Sequence, residues 1–133
     1  MAIDLVGSVL AALAVPLASV PAAHTDRGTV EVFCEGHAAT IVGTPGDDVL
    51  RGTPGRDVID GLGGDDSIRG YRGDDILCGA GGDDVVRGGV GRDVLRGNRG
   101  RDRLIGGRDN DDLAGGPGRD VLTGGPGHDQ LPF

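Results

Sequence analysis

Between Gly43 and Pro132 one aliphatic residue returns every nine positions: Leu50, Ile59, Ile68, Leu77, Val86, Leu95, Leu104, Leu113, Leu122 and Leu131. The residue before it tolerates polarity, as at Ser67, Arg103, Asp112 and Gln130. Successive side chains of a strand point to opposite faces, so one inward residue between two outward ones predicts a short strand at each repeat. Cut in this phase, the segment is ten unbroken nonapeptides, from Gly43–Arg51 (repeat 1) to Gly124–Pro132 (repeat 10). The aliphatic residue is position 8 and the strand is positions 7–9. Gly stands at position 1 in all ten repeats and at position 4 in nine, the exception being Asp109. Position 6 is Asp in all ten. Positions 1–6 therefore predict a tight loop, because Gly permits backbone angles that a side chain forbids. Two repeats complete one coil of two strands and two loops. The expectation is an all-β parallel β-roll, a β-solenoid, of about five 18-residue coils.

The loop carries the chemistry. An Asp in a Gly-rich turn is commonly a turn former, its side chain bonding the local backbone. That role does not explain why position 6 never becomes Asn or Ser, while position 5 beside it is Asp, Arg, Asn or His. A hard cation that requires carboxylate oxygens does explain it. The carbonyls of so tight a loop can converge on the same ion.

Composition sharpens this picture. The chain has 133 residues with 28 Gly, two Phe, one Tyr, no Trp and no Lys. Such a Gly content without a longer repeat would suggest low complexity, and so few aromatics cannot anchor an ordinary globular core. The acids are Asp, apart from Glu31 and Glu35, which places them in turns rather than helices. A net charge of −8 argues against a nucleic-acid partner and for cations.

The repeat resembles the hemolysin-type, or RTX (repeats in toxin), calcium-binding nonapeptide GGxGxDxUx, over residues 43–132. The resemblance implies a right-handed parallel β-roll with Ca²⁺ between loops of successive coils on the same edge. The position-6 Asp residues would bridge the ions and loop carbonyls would complete the shell. The implied ligands are Asp48, Asp57, Asp66, Asp75, Asp84, Asp93, Asp102, Asp111, Asp120 and Asp129. Same-edge pairing joins repeat n to n+2 and allows at most about eight ions between loops. Several positions depart from the pattern. Position 2 is Gly in only four repeats, the others having Thr44, Thr53, Leu62, Tyr71, Ala80 and Asn98. Asp109 puts loop 8 in question. Arg at position 5 in repeats 2, 6, 7 and 9, and His128 in repeat 10, should weaken binding there. Repeats 1, 3, 4 and 5, with Asp-Asp at positions 5 and 6, are expected to bind best. With one apolar side chain per repeat in the core, folding is expected to depend on the metal. The chain would stay unfolded where Ca²⁺ is scarce and fold outside the cell.

The flanking segments read differently. Residues 1–23 are apolar and Ala-rich, like an export signal with a cleavage site near Ala22 or Ala23. A membrane anchor is the alternative, weakened by Gly7, Pro16 and Pro21. The expected location is extracellular, with no stable membrane insertion in the mature form. Residues 24–42 read as an N-terminal cap, a degenerate repeat with Ile41 in phase at position 8 and with Cys34, His37 and Ala39 replacing the loop Gly, Gly and Asp. The cap should cover the open end of the core, and residues 43–133 form the roll. Cys34 and Cys78 suggest a disulfide in an exported chain, against two free thiols, and a bridge requires the cap to lean over the outer face. No HExxH motif or nucleophile elbow occurs, and His24, His37 and His128 lack metal spacing, so no enzyme activity is expected. An alternative role is a carbohydrate- or cell-wall-binding accessory module in which Arg51, Arg69, Arg87 and Arg96 contact acidic polysaccharide. End-to-end self-association through exposed terminal strands is a further candidate.

Overall fold

The computed structural model describes residues 31–132. The expected export segment, residues 1–23, and His24 lie outside the described residues, as does Phe133. Among the described residues no helix is long and apolar enough to cross a membrane.

Each repeat becomes a loop followed by a strand, and strands of alternate repeats stack into two parallel sheets. Odd repeats supply β4 (Val49–Arg51), β6 (Ser67–Arg72), β8 (Val85–Val90), β10 (Arg103–Arg108) and β12 (Val121–Thr123), hydrogen-bonded in that order. Even repeats supply β5 (Val58–Asp60), β7 (Ile76–Cys78), β9 (Val94–Arg96) and β11 (Asp112–Ala114), with β3 (Ile41–Val42) ahead of them. Repeat 10 joins the even sheet by one bridge, Asp112 to Gln130. The register is one coil of 18 residues throughout, as in Leu50↔Ile68↔Val86↔Leu104↔Leu122. The predicted β-roll is therefore the fold.

Position 8 builds the core from both sheets. Ile59, Ile68, Leu77, Val86, Leu95, Leu104 and Leu113 are fully buried, and Ile41, Leu50, Leu122 and Leu131 pack against them at the two ends. A shift of one residue would turn this whole column to solvent, so the apolar period fixes the register. Even strands are three residues long, as expected. The three interior odd strands are six residues long, because pairing continues beyond position 9 through Tyr71↔Gly89↔Gly107 and Arg72↔Val90↔Arg108.

The N-terminal cap divides into two parts with different jobs. Ile41 sits in phase opposite Ile59 and covers the end of the core, as the sequence predicts. The preceding residues depart from a degenerate coil. They form an antiparallel hairpin, β1 (Phe33–Cys34) and β2 (His37–Ala38), which lies on the outer face of the even sheet. Its turn has positive φ at both central residues, Glu35 at 52° and Gly36 at 80°, the geometry of a two-residue hairpin turn. The reason for this placement is apolar. Outward positions 7 and 9 of the even sheet hold Val58, Ile76, Cys78 and Val94, which cluster with Cys34 and Ala39 beneath the hairpin. The Cys34–Cys78 disulfide pins it there, with Cα atoms 5.8 Å apart. Arg96 clamps it further, its guanidinium 3.1 Å from Glu35 and 3.1 Å from Asp112. Arg96 thus belongs to the covered face, not to the set of outward arginines. Arg51, Arg69 and Arg87 form one in-register column on the odd sheet, whose outer face also exposes Val49 and Val121.

Candidate metal centre

Rotation by half a coil per repeat sends odd loops to one edge of the roll and even loops to the other. Asp48, Asp66, Asp84, Asp102 and Asp120 line the first edge. Asp57, Asp75, Asp93, Asp111 and Asp129 line the second. Within each line, one carboxylate oxygen accepts a hydrogen bond from the backbone N–H of the position-6 Asp one coil earlier. Asp66 Oδ1 takes the Asp48 N–H at 2.8 Å and Asp84 Oδ1 takes the Asp66 N–H at 2.8 Å. The pattern continues to Asp102 and Asp120. The second edge repeats it, from the Asp57 N–H on Asp75 Oδ1 at 2.8 Å to the Asp111 N–H on Asp129 Oδ1 at 2.8 Å. The ten predicted residues are thereby brought into two files, neighbours being repeats n and n+2.

The second oxygen behaves differently. Oδ2 of Asp66, Asp75, Asp84, Asp93, Asp102 and Asp111 is buried and has no hydrogen-bond partner. Burying an acceptor unsatisfied costs about 1–3 kcal/mol, more if charged, and native proteins rarely leave six in regular array. Each sits against the position-1 Gly of its own loop, where a Cβ would collide with it. The same point is close to the position-1 carbonyl of the next coil: a Cβ on Gly61 would lie 2.9 Å from the Gly79 oxygen. Position 1 is Gly in every repeat because this space is kept for oxygens.

Burial acts on the protons. Desolvation pushes the Asp66 carboxyl up to about 8, against the backbone N–H it accepts and with help from the charges of Asp84, Asp48 and Asp47. Asp75, Asp84 and Asp93 are raised to about 7, and Asp102 and Asp111 to about 6, again by desolvation first. A carboxylate so placed either holds a proton or meets a cation. The available donors are carboxylate and carbonyl oxygens, the set that Ca²⁺ takes in flexible geometry. The residues present therefore fit the ion that the resemblance implies.

The departures from the consensus are accommodated. Asp109 at position 4 of loop 8 takes φ 80°, positive like the corresponding glycines of loops 3–10 and just below their 90–138°, and its carboxylate accepts the Gly91 N–H at 3.1 Å. Asp is among the side chains that tolerate this region. Leu62, Tyr71, Ala80 and Asn98 at position 2 also hold positive φ. Position 5 has a role that sequence reasoning missed. Asp47, Asp65 and Asp83 each accept the position-5 N–H of the next coil, from Asp65, Asp83 and Arg101 at 2.7–2.9 Å. Asp74 does the same for Arg92, and Asn110 for His128. The signal was available: on each edge, Arg or His at position 5 follows Asp or Asn one coil earlier in repeats 6, 7 and 10.

Stacked, in-register loops with buried carboxylates define the class as a cation-binding parallel β-roll. The family described as the RTX calcium-binding nonapeptide repeat, in a unit of four copies, matches residues 42–77, 79–113 and 105–131. The chain belongs to this RTX family, whose repeats bind calcium. No curated protein and no solved structure matches it.

Proposed function

We propose that the chain is an exported module whose folding is driven by Ca²⁺ clamped between successive coils. The observation that carries this reading is the regular array of six buried carboxylate oxygens without partners. Without metal, each must be protonated or left as an uncompensated buried charge, and both states work against the fold near neutral pH. With metal, the ion's charge replaces the lost hydration and ties coil to coil. Metal binding free energy then becomes folding free energy. The role is structural, because each site lies between packed loops and the ion is used up in holding them. The Cys34–Cys78 bridge supports an oxidising, extracellular setting, as does the apolar segment 1–23.

The test is far-ultraviolet circular dichroism of the chain from residue 24 onward. In chelator the spectrum should be that of a disordered chain. Added Ca²⁺ should convert it to β structure, and Mg²⁺ should do so much less well, since it is smaller and dehydrates reluctantly. The same β spectrum with and without chelator would contradict the proposal.

A further inference from the structure

The first two loops differ from the other eight. Both read Gly-Thr-Pro-Gly, at residues 43–46 and 52–55. In repeats 3–10 positions 2 and 4 have positive φ, as in Leu62 and Gly64 (70° and 90°) or Gly116 and Gly118 (86° and 124°). In loops 1 and 2 neither Thr44 and Gly46 nor Thr53 and Gly55 is in that region. Proline does not explain the difference. Gly116 and Gly125 also precede a proline, yet keep φ at 86° and 96°. Thr does explain it, because a β-branched residue at positive φ is a genuine outlier.

The altered backbone turns the position-2 N–H onto the carboxylate. Thr44 N–H donates to Asp48 Oδ2 at 2.6 Å and Thr53 N–H to Asp57 Oδ2 at 2.7 Å. Each hydroxyl bonds both oxygens of the same carboxylate, at 3.0–3.2 Å. The Gly46 and Gly55 N–H groups in turn donate to those hydroxyl oxygens at 3.1 and 3.2 Å. The oxygen that stays without a partner in loops 3–8 is thus already satisfied in loops 1 and 2. So is Oδ1, which elsewhere accepts an N–H from the preceding coil, because loops 1 and 2 have no such loop before them.

We infer that Thr44 and Thr53 are capping residues that take the first two loops out of calcium binding and close both carboxylate files at their N-terminal end. Calcium then occupies only the gaps bounded by loops 3, 5, 7 and 9 on one edge and 4, 6, 8 and 10 on the other. That gives six gaps, matching the six partnerless oxygens. The inference rests on the calcium reading above, and narrows it to particular loops.

The experiment is a count of bound Ca²⁺ by equilibrium dialysis on the chain from residue 24 onward, in four forms. The unsubstituted chain should bind about six ions. Asp48→Asn with Asp57→Asn should leave that count unchanged, whereas Asp66→Asn with Asp75→Asn should lower it. Thr44→Gly with Thr53→Gly puts at position 2 the glycine that repeats 6, 8, 9 and 10 carry there, free to take positive φ, and should raise the count by up to two. Loss of ions in the Asp48/Asp57 variant, or no gain in the Thr→Gly variant of a chain that does bind calcium, would overturn the capping role alone. An unsubstituted chain that folds and binds no calcium would overturn the calcium reading beneath it.

Discussion

The side chain that decides this protein's behaviour is the position-6 Asp, because its two oxygens have different fates. Oδ1 is tied to the preceding coil, and Oδ2 is left buried without a partner in six repeats. A pH dependence follows for the metal-free roll. Six of its carboxyls, those of Asp66, Asp75, Asp84, Asp93, Asp102 and Asp111, are pushed by burial to about 6 to 8 when folded, led by Asp66, against an ordinary value of 3.8. The folded state therefore holds more protons than the unfolded state over that window. Stability contributed by protonation is complete below about pH 3.8 and is lost as pH rises through 6 to 8. Chelated protein should be more ordered at pH 4 than at pH 8, and Ca²⁺ added at pH 6 should release protons. An indicator-dye titration in weak buffer measures this; no proton release, with a chelated protein equally ordered at both pH values, would count against it. The alignment of these residues in two files was legible in the sequence because position 6 never varies. The inequality of the ten was not. It depends on backbone conformation at position 2, where Thr and Leu are equally non-glycine in the sequence, yet Leu62 accepts positive φ and Thr44 does not.

At the level of elements, the roll is asymmetric. One sheet face is open and carries the Arg51–Arg69–Arg87 column, and the other is roofed by the β1–β2 hairpin. The hairpin buries only a small cluster, and a two-stranded hairpin is marginal alone. Its attachment therefore relies on the Cys34–Cys78 bridge and on the ion pairs of Arg96. Removing the bridge with Cys34→Ser and Cys78→Ser should free the hairpin and leave the calcium-loaded roll intact. Hydrogen exchange should then quicken at Cys34–Ala39 while the amides of Leu77, Leu95 and Leu113 stay protected. Equal loss of protection in the core would show that the hairpin is integral to the roll. The strands and their phase were legible from the nine-residue period. The hairpin was not, because its cue lies in tertiary placement. Val58, Ile76 and Val94 stand at outward positions of the covered even face, but Val49, Val85 and Val121 occupy the same position on the open odd face, so the apolar pattern alone does not mark which face is roofed.

For the whole molecule, stability is a nearest-neighbour sum along the stack. Each coil contributes two core side chains and meets its neighbours through the two Asp files. An interior carboxylate contacts the coils on both sides: Asp84 accepts the Asp66 N–H, and its own N–H reaches Asp102. Asp129 accepts from Asp111, and no later repeat follows it among the described residues. Breaking the middle of such a stack divides the cooperative unit, while breaking its end only shortens it. The coil of the roll was legible from the repeat, since period, apolar position and loop glycines all specify it. The measurement that tests the bridging account most directly is a calcium titration, followed by circular dichroism with bound ions counted, of Asp84→Ala beside Asp129→Ala. Asp84→Ala should lose about two ions and broaden the folding transition, because two gaps share that carboxylate. Asp129→Ala should lose one at most and keep nearly the same midpoint. Equal losses of ions and of stability in the two variants would contradict calcium bridging between coils.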